Sequence, residues 1–122
     1  MLKKTITYTD YNGVERTEDF YFNFTQAELT EMQYGVEGGL EEQLKRIVNT
    51  KDQPAIIREF KNLILKAYGE KSADGRQFMK SAEISEKFAH TEAYSILFME
   101  LATDANKASD FVNGIVPKVK GA

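Results

Sequence analysis

Polar and apolar residues alternate with period two near the start of the chain, where Thr5, Thr7 and Thr9 interleave with Ile6, Tyr8 and Asp10. Such a run, rich in β-branched and aromatic residues, predicts a strand. Asn12-Gly13 then offers a pair of positive-φ residues for a tight hairpin turn. The return strand carries Val14 and the alternating Phe20, Phe22 and Phe24, whose rings share one face. That face needs cover from the rest of the chain; left open, it would be an interaction surface. The core reading is the preferred one, with a hairpin over residues 3–24.

Beyond Phe24 the period changes. Thr25-Gln26-Ala27-Glu28 reads as a capping box, opening a short helix with Ala27, Leu29 and Met32 inward and an end near Gly35. Gly38-Gly39 breaks the chain, and Leu40, Leu44, Ile47 and Val48 mark a second helix. Asp52 is placed to cap a third, with Pro54 tolerated in its first turn. Ile56, Ile57, Phe60, Leu63, Ile64, Ala67 and Tyr68 give that helix a wide apolar face, with Gly69 as its C-cap. Residues 70–80 read as a polar connector turning at Asp74-Gly75, anchored by Phe78 and Met79.

Ser81 caps a short helix carrying Ile84 and Phe88. The stretch from Thr91 to Ala102, TEAYSILFMELA, has almost no polar side, so this helix is expected to be central or docked on a partner. Asp104 caps a last helix with Ala105, Ala108, Phe111 and Val112 inward and Gly114 past its end, stopped by Ile115-Val116-Pro117. The pattern predicts an α+β fold: an N-terminal β-hairpin followed by a mainly helical bundle of about six helices. One domain spans residues 1–117, helical over 25–117, with 118–122 a flexible tail.

Length and composition add bounds. The 122 residues suit one domain, and 42% hydrophobic content supplies a core without a disulfide or metal staple. The absence of cysteine fits a reducing compartment and excludes a thiol nucleophile or cysteine-based zinc site. No signal peptide or membrane span is expected, and a net charge of −3 argues against nucleic-acid binding. From Asp10 to Leu44 stand nine acidic residues and one basic residue, whereas Lys45 to Lys80 holds nine basic and four acidic. Opposed segments of this kind either pair internally, which is the favoured reading, or steer self-association.

Candidate chemistry is sparse. His90 with Glu92 is a poor metal pair, since one histidine with scattered carboxylates does not make a transition-metal site. It marks a junction between helices instead. Glu41-Glu42, Glu83 with Glu86, and Asp104 are explained by helix surfaces and caps rather than acid–base work. Gly38-Gly39 and Asp74-Gly75-Arg76 lack the glycine spacing of a phosphate loop. No catalytic residue, metal or cofactor is expected. What stands out is apolar surplus near the C-terminal end, and Tyr94, Phe98, Phe111, Ile115 and Val116 are the candidate partner-binding residues.

The segments KKTITYTDYNGVERTEDFYFNFTQAEL, FKNLILKAYGEKSADGRQFMKS and FAHTEAYSILFMELATDANKASDFVNGIVP, in this order from Lys3 to Pro117, resemble small tail assembly chaperones of long-tailed, siphovirus-type bacteriophages infecting Gram-positive hosts. The resemblance implies a non-enzymatic protein that binds the tape measure protein in the host cytoplasm, keeps it soluble, and is not retained in the mature virion. It also implies possible homo-oligomers and, in many relatives, a longer frameshifted form. Competing readings are an adaptor that binds a host protein, or a minor head–tail structural component.

Overall fold

The computed structural model describes residues 1–35 and 53–116; the N-terminal hairpin comes first as expected, but two further strands follow the helix ending at Ala67. Strands β1 (Leu2–Thr9) and β2 (Glu15–Phe22) pair antiparallel, Leu2 opposite Phe22 and Thr9 opposite Glu15. Helix α1 (Gln26–Gly35) follows, and α2 (Gln53–Ala67) runs directly into strand β3 (Tyr68–Lys71). After β4 (Phe78–Met79) come α3 (Ala82–Ala89), α4 (Glu92–Thr103) and α5 (Ala105–Ile115). The α+β expectation is met by a four-stranded sheet in the order β1-β2-β3-β4 with helices against it.

The hairpin turn differs from the expected one in detail. Gly13 alone takes a positive φ, at 81°, and Asn12 does not. The Gly13 amide donates to Asp10 O (3.0 Å) and the Asp10 amide to Val14 O (2.9 Å), so the loop is longer than two residues. Asp10 explains the change: its carboxylate accepts from the Asn12 and Val14 amides and from Arg16 Nε, holding the wider loop closed.

Period two then sorts the sheet's faces. Ile6, Tyr8, Phe20, Phe22 and Phe24 are buried, and Thr5, Thr7 and Thr9 lie exposed. The phenylalanine row is core, covered by helices. Phe22 meets Phe111 edge-on at 5.3 Å, and Phe88 of α3 stacks on Tyr68 at 4.2 Å. Burying rings of this size contributes about 2–3 kcal/mol each.

The capping box forms as read: Glu28 N donates to Thr25 Oγ1 and Thr25 N to Glu28 Oε1. Leu29 packs against the core, but Ala27 is exposed. The second predicted helix, with Gly38-Gly39 and the Asp52 cap, lies outside the described residues. In α2, Phe60, Leu63, Ile64 and Ala67 are buried, while Ile57 faces outward at 48% exposure.

Two glycines are corrected. Gly69 does not cap a helix; it sits in β3 opposite Tyr21, where an added Cβ would lie 2.7 Å from the Phe78 ring. Gly114 lies inside α5, facing Leu2. The connector is also more ordered than a polar loop, because its ends form the β3–β4 hairpin around Gly75 (φ 75°).

Candidate protein-contact surface

The apolar run from Thr91 becomes α4 because Thr91 starts it and Asp104 ends it. Thr91 Oγ1 accepts from the Tyr94 amide (3.3 Å). Asp104 is at once the C-cap of α4 and the N-cap of α5, accepting from the Asn106 and Lys107 amides. The helix is central, contacting β1, α2, α3 and α5. Ala93, Leu97 and Leu101 fill its inner side. Its surplus lies elsewhere: Ile96 is 39% and Met99 54% exposed.

The candidate contact residues divide accordingly. Tyr94 is half-buried, edge-on to Phe88 at 5.7 Å, and burial pushes its phenol pKa up. Phe98, also half-buried, packs against Phe60 of α2 and Ala108 of α5. Val116 is half-buried just past α5. Phe111 and Ile115 are core side chains, 2% and 0% exposed, so in this fold they offer no surface to a partner. Ala108, Phe111 and Ile115 repeat at the three-four spacing of an inward stripe, which is why they are covered. Ala105, expected inward, is exposed instead. On α2 and α4, Ile57, Ile96 and Met99 are exposed apolar side chains that were not among the candidate contact residues. Their signal is an apolar position out of phase with the buried stripe.

Groups with chemical potential are engaged in structure. A shallow cleft of about 360 Å³ is lined by Asn62, Leu65, Lys66, Lys80, Ser81, Ala82 and Ser85. Ser81 Oγ accepts from the Ile84 amide, and Ser85 Oγ donates to Leu65 O. A second hollow of about 160 Å³ holds Glu100 between Lys4 (3.2 Å) and Lys107 (3.3 Å). Burial pushes the Glu100 carboxyl up, but the hydrogen bonds from both lysines outweigh it and leave the pKa below the ordinary range. His90 is the C-cap of α3, its amide donating to Glu86 O. Asp74 shapes its turn by accepting from Ser72 Oγ and the Arg76 amide. Among the described residues no group of three or more histidines and carboxylates is placed to hold a metal, and no helix is long and apolar enough to cross a membrane.

Arg16, the one basic residue of the acidic segment, bonds Asp10 at 2.6 Å within the hairpin. Among the described residues an ion pair joins the two opposed segments. Lys80 Nζ lies 2.7 Å from Glu28 Oε2, donates to Asn23 O (2.6 Å), and stands 4.7 Å from the centre of the Phe24 ring.

Among the described residues the fold displays a set of half-buried and exposed apolar side chains on its helices. Comparison with protein families gives a match over residues 1–119, nearly the full length, to a family described as phage tail assembly chaperone. The chain belongs to that family. Neither the comparison with curated proteins nor that with solved structures yields a match. A tail assembly chaperone works with protein partners, and α2 and α4 carry half-buried and exposed apolar residues.

Proposed function

We propose that this tail assembly chaperone binds the tape measure protein of its phage and keeps it soluble while the tail is built, without catalysing a reaction. The observation that carries the reading is the family match over nearly the whole chain. The physical logic fits it. A long helical substrate with an exposed apolar stripe aggregates unless a second surface covers that stripe. Tyr94, Phe98 and Val116, with Ile57 exposed on α2, supply such cover. Many copies along one substrate would gain avidity from being held together.

In this proposal the chaperone acts in the cytoplasm of a Gram-positive host of a siphovirus-type phage and leaves before the virion matures. The test is co-expression with the tape measure protein of the same phage. The expected result is a tape measure chain that is soluble only with the chaperone and elutes with it. Phe98→Asp, checked for folding by circular dichroism, is expected to lose most of this effect. A folded Phe98→Asp protein that solubilises the tape measure as well as wild type would remove α4 from the contact. An insoluble tape measure beside unbound wild-type chaperone would defeat the proposal itself.

A further inference from the structure

The core of the described residues comes in two parts. Leu63, Ile64 and Ala67 of α2 belong to the large cluster shared with the sheet, α3, α4 and α5. Phe60, one turn earlier, does not: with Ala108 of α5 it forms a small cluster of its own. The side chain that joins the two is Phe98 of α4, half-buried and packed against both. Burial along α2 fades in the same direction. Ile64 and Ala67 are fully covered and Phe60 keeps 7% exposure, whereas Ile57, three residues earlier on the same face, is 48% exposed.

The two halves of α2 are therefore held differently. Its C-terminal half is fixed by three core side chains and by its direct passage into β3, where Tyr68 pairs with Phe22. Among the described residues, the N-terminal half is seated on α4 and α5 by one buried ring, that of Phe60. A helical stretch of two turns is marginal in water once its packing is lost, so the stability of this half depends on that ring. The ring rests against Phe98, which Tyr94 borders from its own helix with ring centroids 6.0 Å apart. Tyr94 and Phe98 are candidate contact residues, and part of what covers Phe98 is a side chain of the chain itself. An aromatic ring carried on one helix and set against two others is also how a helical partner docks in a groove.

We propose that Phe60 is a built-in plug. In the free chaperone it fills a seat formed by Phe98 and Ala108, and that seat takes a large apolar side chain, aromatic by the size of the ring now in it, from a helical segment of the partner. The first two turns of α2 yield to admit it, while Leu63, Ile64 and Ala67 keep the rest of the helix in place. The inference rests on the tape measure reading for the identity of the partner, and adds the class of side chain recognised and the element that moves. An open state populated at roughly 0.1–10% suffices for such an exchange. The apparent affinity is then lowered by that same fraction, so the plug weakens binding. In return it keeps an apolar seat covered in the free protein.

Native-state hydrogen exchange of the full chain reads the opening without any partner. Amides of residues 57–60 should exchange about tenfold or more faster than those of residues 63–67, and equal protection along α2 would overturn the proposal. Binding to the tape measure protein gives the sign. Phe60→Ala, checked for folding by circular dichroism, should bind about tenfold or more tightly, because its seat is already empty. A ring that only completes the fold, or one that itself touches the partner, gives equal or weaker binding, and either result overturns the plug. A second variant blocks the seat instead. The chain has no cysteine of its own, so Phe60→Cys with Ala108→Cys can be bridged at that one place by a short bis-maleimide. The bridged chain should bind about tenfold or more weakly than the same chain unbridged, and undiminished binding would overturn the proposal. A wild-type chaperone with no affinity for the tape measure defeats the reading of the partner, whereas normal wild-type binding with unchanged variants defeats the plug alone.

Discussion

Lys80, just past β4, reaches Glu28 in the first turn of α1 across 52 positions of sequence, with 2.7 Å between Nζ and Oε2. Glu28 is also the reciprocal partner of Thr25 in the capping box, so one carboxylate both starts a helix and ties it to the sheet. Burial pushes the Glu28 carboxyl up, yet the bonds from Lys80 and the Thr25 amide outweigh it and hold its pKa below the ordinary 4.5. A depressed folded pKa contributes stability that is complete above 4.5 and fades as pH falls through the folded value. Lys80→Met should cost about 1 kcal/mol near neutral pH, and the difference from wild type should shrink on acidification. Urea denaturation at neutral pH and at pH 3 measures this. An equal difference at both values would mean that the pair is not what the substitution removes.

At the alkaline end the group to watch is Tyr68. Burial first, then the charges of Glu70 and Glu18, raise its phenol pKa to about 12. A raised folded pKa means stability that is intact below 10 and declines as pH rises from 10 toward 12. Ultraviolet titration should show a late phenol transition that disappears in Tyr68→Phe, whose unfolding should also be less sensitive to that pH range.

Gly69→Ala should destabilise the chain by about 1–3 kcal/mol, because the new methyl has nowhere to go: the Phe78 ring stands at 2.7 Å and Met79 O at 2.9 Å. Gly13→Ala meets no atom within 4 Å, and its cost of about 1 kcal/mol comes only from the positive φ. Thermal melts of the two variants distinguish crowding from backbone strain. Pairing Gly69→Ala with Phe78→Leu should recover part of the first loss and none of the second.

On α4 the same type of substitution should give opposite results two positions apart. Leu97→Ala, at a fully buried site, is expected to cost about 2–5 kcal/mol. Met99→Ala, at a site 54% exposed, should stay within about 0.5 kcal/mol. Denaturation checks both. A large effect at Met99 would place it in a contact that the fold does not show.

Asp104 serves two helices, and Asp104→Ala should cost about 1–2 kcal/mol by leaving the Asn106 and Lys107 amides without their acceptor. Asp104→Asn should restore most of that, since an amide oxygen accepts equally well. Hydrogen exchange in the first turn of α5 reads the effect directly.

The elements legible in the sequence are those whose signals are local. Alternation at Ile6, Tyr8, Phe20 and Phe22 fixes which face is inside, and Thr25 with Glu28, Ser81, Thr91 and Asp104 mark helix starts through their own side chains. The strand at Tyr68–Lys71 was not legible, since YGEK has no alternation and is a strand because Tyr21 and Phe22 pair with it. Gly69 was misread for the same reason: its small size answers to Phe78, not to a helix end. Of the candidate contact residues, Phe111 and Ile115 were assigned to a surface although their spacing with Ala108 is that of a core stripe. Phe98 is half-covered by Phe60 from a distant part of the chain, which no local pattern reveals, whereas Tyr94 is covered by Phe88 of the preceding helix.

Helix α2 passes into β3 with no intervening residue, Ala67 ending one and Tyr68 beginning the other. The junction works as a phase lock between two different side-chain periods. Ala67 is held by the helix side of the core while Tyr68, one residue on, must present its ring to Phe88 and its backbone to Phe22. There is no slack in which an error could be absorbed. A single residue inserted there would swing Tyr68 to the far side of the sheet, or else wind α2 a quarter-turn out of its seat. The sheet and the helical layer therefore cannot slide independently, and whatever displaces α2 must also displace the strand paired with β2.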